Sequence, residues 1–212
     1  ARRAVAEPGS LMPLLSTNPK YGFGVTTPYY FALAPDYDLT LKPLFTTKQG
    51  VLLDGEFRQR LINGAYNIRA YGIRQLDKDE FLRSGGPSTP GYRDWRGAVE
   101  TSGRFALNDK WTWGWDGTLV SDRTFMQDYS LGRFRSPVVV FSAVPTDAIS
   151  QLYLTGVGRR SFFDARTMYF YGFSEADVQR QIPLIHPEFD YANVFNRPVL
   201  GGVLGFRANL TS

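Results

Sequence analysis

The 212-residue sequence contains no cysteine, a single histidine and no apolar run as long as the about 18 residues that a membrane helix needs. The lack of cysteine excludes disulfides and thiolate metal sites within this chain. Lysine and arginine are spread singly among acidic residues, so the net charge of +4 does not form a basic stripe for nucleic acid. No signal peptide is visible at Ala1, so an exported protein would have lost its leader or been cut from a longer chain.

Apolar and polar residues instead alternate with a period of two along much of the chain. In residues 37–42 the apolar side chains fall on odd positions, and residues 51–60 repeat this pattern. Such alternation is typical of strands that separate an apolar face from a polar one. The sequence predicts about eleven strands, near residues 9–17, 21–34, 37–47, 50–62, 64–76, 94–108, 110–121, 149–159, 162–173, 183–194 and 198–211.

The predicted connections alternate between tight and long. Tight turns are expected at every second junction, at Pro35-Asp36, Asn63-Gly64, Asn108-Asp109-Lys110, Arg160-Ser161 and Asn196-Arg197. The long connections lie near residues 77–93, 122–148 and 174–182. Up-and-down membrane barrels have short periplasmic turns and longer external loops. We therefore expect an antiparallel transmembrane β-barrel portion over residues 9–212, with residues 1–8 as a periplasmic lead-in.

The alternative architecture is a β-sandwich, whose strands also alternate. Sandwich strands are usually about 5 to 6 residues long, and the predicted strands are longer. Trp111, Trp113 and Trp115 share one face of a strand, which suits the aromatic belt of a membrane protein. The membrane barrel is therefore favoured.

The residues that could carry chemistry are few. His186, Glu188 and Asp190 point to one side of a predicted strand and could hold a metal, but a polar barrel lumen explains them better, because metal sites usually recruit ligands from several elements. No serine lies at a recognisable spacing from the histidine. We expect no enzymatic activity, cofactor or metal.

Arginines are prominent on the predicted inner face, where their guanidinium groups could bind the phosphates of a passing glycolipid. These candidate substrate-path residues are Arg58, Arg60, Arg69, Arg104 and Arg207.

Two prolines, Pro13 and Pro28, fall inside predicted strands at similar distances from the turn at Asn18. Proline lacks the N–H that a ladder needs. The pair predicts either two tolerated bulges or a weak seam between neighbouring strands.

The stretch from Gly22 to Thr40, GFGVTTPYYFALAPDYDLT, resembles the start of the barrel in the LptD family, and Gly50 to Arg58 continues the similarity. Further similarity runs through WGWDGTLVSDRTFMQDY, from Trp113 to Tyr129, and through residues 152–173. The resemblance implies an outer-membrane barrel of near 26 strands that is plugged by the lipoprotein LptE. Eleven strands would then be an incomplete barrel, without the preceding periplasmic domain that contacts the LptA bridge.

The resemblance also implies a function. Family members deliver lipopolysaccharide to the outer leaflet of the Gram-negative outer membrane, and prolines of the first two strands weaken a lateral gate that opens towards membrane lipid. Pro13 and Pro28 match those positions. The alternatives are a general porin and, more distantly, a soluble β-sandwich that binds a partner.

Overall fold

The computed structural model describes residues 8–83, 86–131, 147–172, 184–195 and 202–211, and they form one antiparallel sheet of fourteen strands. The strands are β1 (Gly9–Ser10), β2 (Leu14–Asn18), β3 (Gly22–Thr26), β4 (Tyr29–Ala32), β5 (Tyr37–Leu41), β6 (Leu44–Thr46), β7 (Gly50–Leu61), β8 (Gly64–Arg74), β9 (Trp95–Ala106), β10 (Trp111–Val120), β11 (Asp147–Val157), β12 (Ser161–Gly172), β13 (Leu184–Val194) and β14 (Gly205–Leu210). The predicted all-β antiparallel fold is confirmed. The described residues form one sheet instead of the two packed layers of a sandwich.

Strands β7 to β13 are long, and each pairs with its neighbours in the sequence. They contain 10 to 12 residues each. A strand of about 9 to 11 residues, tilted, crosses the apolar part of a bilayer, so these strands have the length of a barrel wall. Among the described residues β1, β2 and β14 each pair on one side only, so this part of the sheet is open.

The first three predicted strands are each divided in two. The predicted strand at residues 9–17 appears as β1 and β2, that at 21–34 as β3 and β4, and that at 37–47 as β5 and β6. Eleven predicted strands thus become fourteen observed ones. The cause is a proline in each of the three, which is described below.

Three predicted boundaries are wrong. The tight turn expected at Arg160-Ser161 lies at residues 158–160, because Ser161 already belongs to β12. The hairpin between β7 and β8 turns at residues 62–63, because Leu61 pairs with Gly64, so the expected turn at Asn63-Gly64 is displaced by one residue. The last strand begins at Gly205 instead of residue 198, and Phe195 N donates to Leu204 O at the base of a longer connection. The predicted turn at Asn196-Arg197 and the predicted loop at 174–182 lie outside the described residues.

One end of the sheet carries tight turns, and the other carries a folded layer of loops. We call the first the turn end, at residues 33–36, 62–63, 107–110 and 158–160. We call the loop layer the cap, which consists of residues 75–83, 86–94 and 121–131. The cap contains two single-turn 3₁₀ helices, Lys78–Phe81 and Gly86–Ser88, and the one-turn helix α1 (Phe125–Asp128). None of the helices in the described ranges has the length and apolarity that would span a membrane.

The buried core lies where the cap packs on the sheet. Leu52, Ile73 and Ala98 contribute from the strands, and Phe81, Phe125, Met126 and Tyr129 contribute from the cap. Phe125 and Met126 are fully buried. Apolar burial of this kind stabilises the cap, whereas the remainder of the described sheet has no such layer against it.

Candidate functional site

Three prolines lie in a line across the split strands. Pro13 separates β1 from β2, Pro28 separates β3 from β4, and Pro43 separates β5 from β6. In the common register of the second and third strands, Pro43 stands opposite Thr27, and Thr27 N donates to Pro43 O over 3.1 Å. Because proline has no N–H, each proline leaves one rung of the ladder without a donor. We call this feature the proline line; the sequence analysis identified its first two members and missed Pro43.

The pairing register changes across the proline line only between the first two strands. Leu14 pairs with Thr26 on one side of the line, and Ser10 pairs with Tyr29 on the other. Residues 11–13 therefore face residues 27–28, which is a bulge with one extra residue. The second and third strands keep one register on both sides.

Strand β7 runs unbroken past the proline line and holds both sides of it. β6 pairs with the beginning of β7 and β5 with its later part, and between them Lys42 N donates to Asp54 O over 2.7 Å. The proline line thus divides the first three strands into two parts. We call β2, β3 and β6 the cap-end half, and β1, β4 and β5 the turn-end half.

The cap-end half is fastened to the cap by the turn that joins β2 to β3. Lys20 Nζ forms an ion pair with the Asp128 carboxylate, whose side chain is only 1% exposed. Next to it the ring of Tyr21 stacks on the ring of Tyr129, with centroids 6.1 Å apart and an angle of 4° between the planes. A charged contact and an aromatic contact therefore hold the same turn.

The next turn, between β6 and β7, adds a second fastening. Gln49 is fully buried, and its Nε2 donates to Lys20 O over 3.1 Å and to Asp77 O over 2.7 Å. Lys48 Nζ donates to Pro19 O and to Glu80 Oε1, both over 2.9 Å. One glutamine thereby links the two turns of the cap-end half to the cap.

Arg96 lies at the centre of the cap. Its guanidinium, which is not exposed to solvent, donates to both oxygens of Asp122 over 2.7 and 2.8 Å and to Asp128 Oδ2 over 2.8 Å. The rings of Phe81, Phe125 and Tyr129 surround it, at 4.9 to 5.7 Å from Cζ to the centroids. A buried charge requires such pairing, because desolvating it alone costs several kcal/mol.

More than one basic side chain contacts the carboxylate of Asp128. Burial by itself favours the neutral acid, but the hydrogen bond from Lys20 and the charge of Arg96 outweigh it, so the pKa of Asp128 is lowered. Arg83 Nη2 also contacts Asp128 Oδ1 over 3.1 Å. Asp128 is therefore the acidic centre that joins Lys20 of the first hairpin to the cap.

The turn-end half has weaker connections. Within the residues that the structure describes, one side-chain ion pair joins it to β7, from Arg58 Nε to Asp38 Oδ1 over 2.8 Å, and Arg58 is 41% exposed. The ring of Tyr37 packs on that of Phe57 with centroids 6.0 Å apart. Ladder hydrogen bonds otherwise hold this half in place.

All five arginines proposed for the substrate path lie on one face of the sheet, as the cross-strand register shows. Arg58, Arg60 and Arg104 line one groove of about 470 Å³ near the turn end. Arg69 lies apart from them and is held by Asp54 through two hydrogen bonds of 2.9 and 2.7 Å. Arg207, on β14, is 78% exposed and 3.8 Å from Asp190. The structure thus brings three of the five together.

The opposite face is apolar and exposed. Leu53, Trp95, Leu119, Leu152 and Leu210 are between 53% and 75% exposed on it. Trp111, Trp113 and Trp115 lie on this face, and Trp113 and Trp115 pack together with Phe105. A wide exposed apolar face opposite a charged one is the pattern of a barrel wall between lipid and water.

The acidic pair beside the single histidine also lies on the polar face. Asp190 Oδ1 accepts a hydrogen bond from Asn209 Nδ2 over 2.9 Å, and Glu188 Oε1 one over 3.4 Å. The side chain of His186 is outside the described residues. The residues that the structure describes contain no group of three potential metal ligands.

Neither the Arg96 cluster nor the role of Pro43 was predicted from the sequence. Asp122, Thr124 and Asp128 all lie in the segment that carried the family resemblance, which was the one signal available. Their common partner, Arg96, lies at least 26 residues away in the sequence. Only the folding of the cap brings them together.

Comparisons with known proteins agree with the resemblance. The family model described as "LptD: LPS transport system D" matches residues 94–212. The LPS-assembly protein LptD of Pseudomonas aeruginosa (strain UCBPP-PA14) is 37% identical over 126 residues, which cover 57% of this chain and 12% of that protein. The LPS-assembly protein LptD of Bordetella pertussis (strain Tohama I) is 35% identical over 122 residues, which cover 58% of this chain and 14% of that protein.

The chain therefore spans only 12% to 14% of the length of these relatives. The matched region nevertheless covers more than half of the chain, and it contains the strands from β9 onwards. The described sheet is open and has the two-faced pattern of a barrel wall, as an incomplete part of a membrane barrel would. On this match, the chain belongs to the LptD family.

Proposed function

We propose that this protein transports lipopolysaccharide and inserts it into the outer leaflet of the outer membrane, and that its first three strands form a lateral gate. The observation that carries the proposal is the proline line. It weakens adjacent strands at one level, whereas the strands from β7 to β10 pair without a break. The relatives are named LPS-assembly proteins, and this name is the basis for proposing lipopolysaccharide as the substrate.

In this proposal the apolar face contacts the lipid of the outer membrane and the polar face lines the lumen. The turn end faces the periplasm and the cap lies outside, because membrane barrels have short periplasmic turns and longer external loops. Residues 1–8 would then be a periplasmic lead-in to the barrel portion at 9–212. The external loops would comprise the segments near 77–93, 122–148 and 174–182.

The gate opens in the turn-end half. The cap-end half is held by Lys20, Tyr21 and Gln49, so it stays with the cap. The turn-end half depends on ladder bonds, and the proline line deprives it of rungs that would each contribute about 0.5 to 1.5 kcal/mol. Pro13 and Pro28 act in this proposal as the hinge of the first two strands, and local opening needs no unfolding of the rest of the sheet.

The sugar and phosphate part of lipopolysaccharide passes along the polar face. Arg58, Arg60 and Arg104 are the best placed to bind its phosphates, because they share one groove and two of them are free of ion pairs in the described part of the chain. The guanidinium of Arg69 is paired with the carboxylate of Asp54, so Arg69 mainly stabilises the fold. Arg207 offers an exposed guanidinium further along the sheet.

The partners in this proposal are LptE as the plug of the complete barrel and LptA as the bridge that delivers lipopolysaccharide from the periplasm. The protein makes and breaks no covalent bond, so the energy for transport comes from another component. A general porin would use the same strands but would have no need for a weakened seam.

Replacing both Pro13 and Pro28 by alanine tests the gate. The substitutions restore two N–H donors, and each new rung of about 0.5 to 1.5 kcal/mol closes the seam further. We expect surface lipopolysaccharide to fall at least about fivefold in cells that depend on this protein. The measurement is protease-resistant, surface-labelled lipopolysaccharide at equal levels of barrel protein.

The matched control is Pro35→Ala, because Pro35 lies in a turn outside the strands. It should leave export unchanged. Normal export in the double replacement would refute the gate, and equal losses in the double replacement and the control would show a general defect of assembly.

Charge reversal tests the polar path separately. Arg58→Glu, Arg60→Glu and Arg104→Glu together should reduce export by about tenfold, because each phosphate contact is replaced by repulsion. Arg74→Glu, on the opposite face, is the control. Export at the normal level in the triple variant would remove these arginines from the path without affecting the gate.

A further inference from the structure

A cavity of about 990 Å³ opens at the turn end, between the hairpins of β10 to β13. Trp111 pairs with Gly156, so the turns at 107–110 and 158–160 are neighbours on the same edge of the sheet. The volume of the cavity is in the range of sites that hold small molecules. Nothing in the gate or the polar path makes use of it.

Three cations lie at the rim of this cavity. Lys110 belongs to the first turn, and Arg159 and Arg160 belong to the second. In the described ranges of the chain no carboxylate lies within ion-pair distance of any of them. Arg160 Nη1 donates to Phe195 O over 3.0 Å, which fixes its position without neutralising its charge.

Aromatic rings form the wall below the cations. Trp111 and Phe163 pack with centroids 5.4 Å apart, and Tyr191 of the next hairpin also lines the cavity. Gly156 leaves room for the Trp111 ring, since a Cβ there would approach the ring to 2.8 Å. By the register these rings belong to the exposed apolar face of the sheet.

We propose that this cavity binds one anionic glycerophospholipid of the membrane leaflet next to the turn end. Its phosphate group lies among Lys110, Arg159 and Arg160, and its acyl chains follow the apolar face past Trp111, Phe163 and Tyr191. Guanidinium groups bind phosphate in a forked geometry, and aromatic side chains are favoured at the level of lipid head groups.

Charge complementarity identifies the occupant as a phospholipid. Three cations that form no ion pair with the described residues suit a phosphate, whereas a neutral lipid would leave their charges uncompensated. The aromatic wall continues directly into the apolar face, which a free phosphate would not use. The cavity shares no lining residue with the groove of Arg58, Arg60 and Arg104, so the two sites are separate.

This inference rests on the proposed position of the sheet in a membrane, and its test measures lipid binding instead of transport, so the two proposals can fail separately. The purified protein in mild detergent is titrated with phosphatidylglycerol and, in parallel, with phosphatidylcholine, and bound lipid is counted by native mass spectrometry. We expect one phosphatidylglycerol to bind, and Lys110→Gln with Arg159→Gln to weaken its binding about tenfold.

Two matched variants serve as controls. Arg74→Gln with Arg93→Gln removes two exposed arginines at the cap end and should leave phosphatidylglycerol binding unchanged. Lys110→Arg keeps the positive charge at that position and should also retain binding.

Equal binding of the two lipids, or unchanged binding in the Lys110 and Arg159 double variant, would overturn the proposal. Preferential retention of lipopolysaccharide at these residues would overturn it as well. If the double variant does not fold, the site is tested by photo-cross-linking photoactivatable phosphatidylglycerol to the unmodified protein. Cross-links at Trp111, Phe163 or Tyr191 support the site, and cross-links elsewhere contradict it.

Discussion

The two halves of the first three strands differ in what holds them. The cap-end half shares side-chain contacts with the cap, including the buried Asp128 and the buried Gln49. Among the described residues, the turn-end half relies on the ladder, on the ion pair of Arg58 with Asp38 and on the packing of Tyr37 against Phe57. Both halves have the same strand directions and join the same strand β7. The strength of strand pairing therefore differs with depth in the sheet, because side-chain contacts add to it at one end and missing backbone donors reduce it in the middle.

The substitution expected to change the difference between the cap-end half and the turn-end half most is Arg96→Met. It leaves Asp122 and Asp128 buried without their principal partner, which should destabilise the cap by roughly 3 to 5 kcal/mol. Amide hydrogen exchange in β2 and β3 should then become as fast as in β4 and β5. The measurement is exchange followed by mass spectrometry on the purified protein.

Arg104→Met is the control, because Arg104 lies on the same strand and the same face but is exposed. It should change exchange in neither half of the first three strands. If exchange in the cap-end half stayed slow in Arg96→Met, the cap could not be what fastens that half.

A smaller effect should follow acidification. The fold lowers the pKa of Asp128, so its charged form stabilises the cap at neutral pH, and this stabilisation is lost as the pH falls below the ordinary carboxyl range and through the lowered value. Asp128→Asn should therefore unfold at a lower temperature than the natural protein near neutral pH, and the gap should shrink below about pH 4. Near-ultraviolet circular dichroism follows the aromatic cluster of the cap during heating. A gap that is constant with pH would mean that the charge of Asp128 is not what stabilises the cap.

The smallest effect is expected for Lys20→Met. Lys20 is 31% exposed, and Asp128 keeps Arg83 and Arg96 as partners, so the loss should be about 1 kcal/mol. Exchange should rise in β2 and β3 and stay unchanged inside the cap. Lys110→Met, at the turn end, provides the comparison. An equal rise throughout the cap would show that Lys20 supports the cap instead of fastening the hairpin to it.

The alternation of apolar and polar residues was sufficient to predict most of the sheet. It located β7 to β13 to within a few residues, because an apolar face alternates with a polar one along most of these strands. The division of the first three strands was only partly predictable. Pro13 and Pro28 were identified as weak points, but Pro43 lies at the junction of two apolar stretches and was read as part of one strand.

The candidate site was less predictable than the sheet. Cross-strand register decides which arginines share a groove, and it separated Arg69 and Arg207 from the other three. The Arg96 cluster joins side chains from β9 and the loop after β10, and Lys20 reaches it from the first hairpin. Contacts between residues so far apart in the chain depend on how the loops pack, which no local pattern encodes.

The one-residue offset at Pro13 limits how far the first strand can pair in a single register with its neighbour. To pair in the register of β1, β2 would have to shift by one residue. Every side chain along β2 would then move to the other face of the sheet. Ser16 and Asn18, which now share the side of Gly24 and Gly22, would be turned towards hydrocarbon. The bulge at Pro13 therefore keeps β1 and β2 in two different registers, and continuous pairing of the first strand ends at this proline.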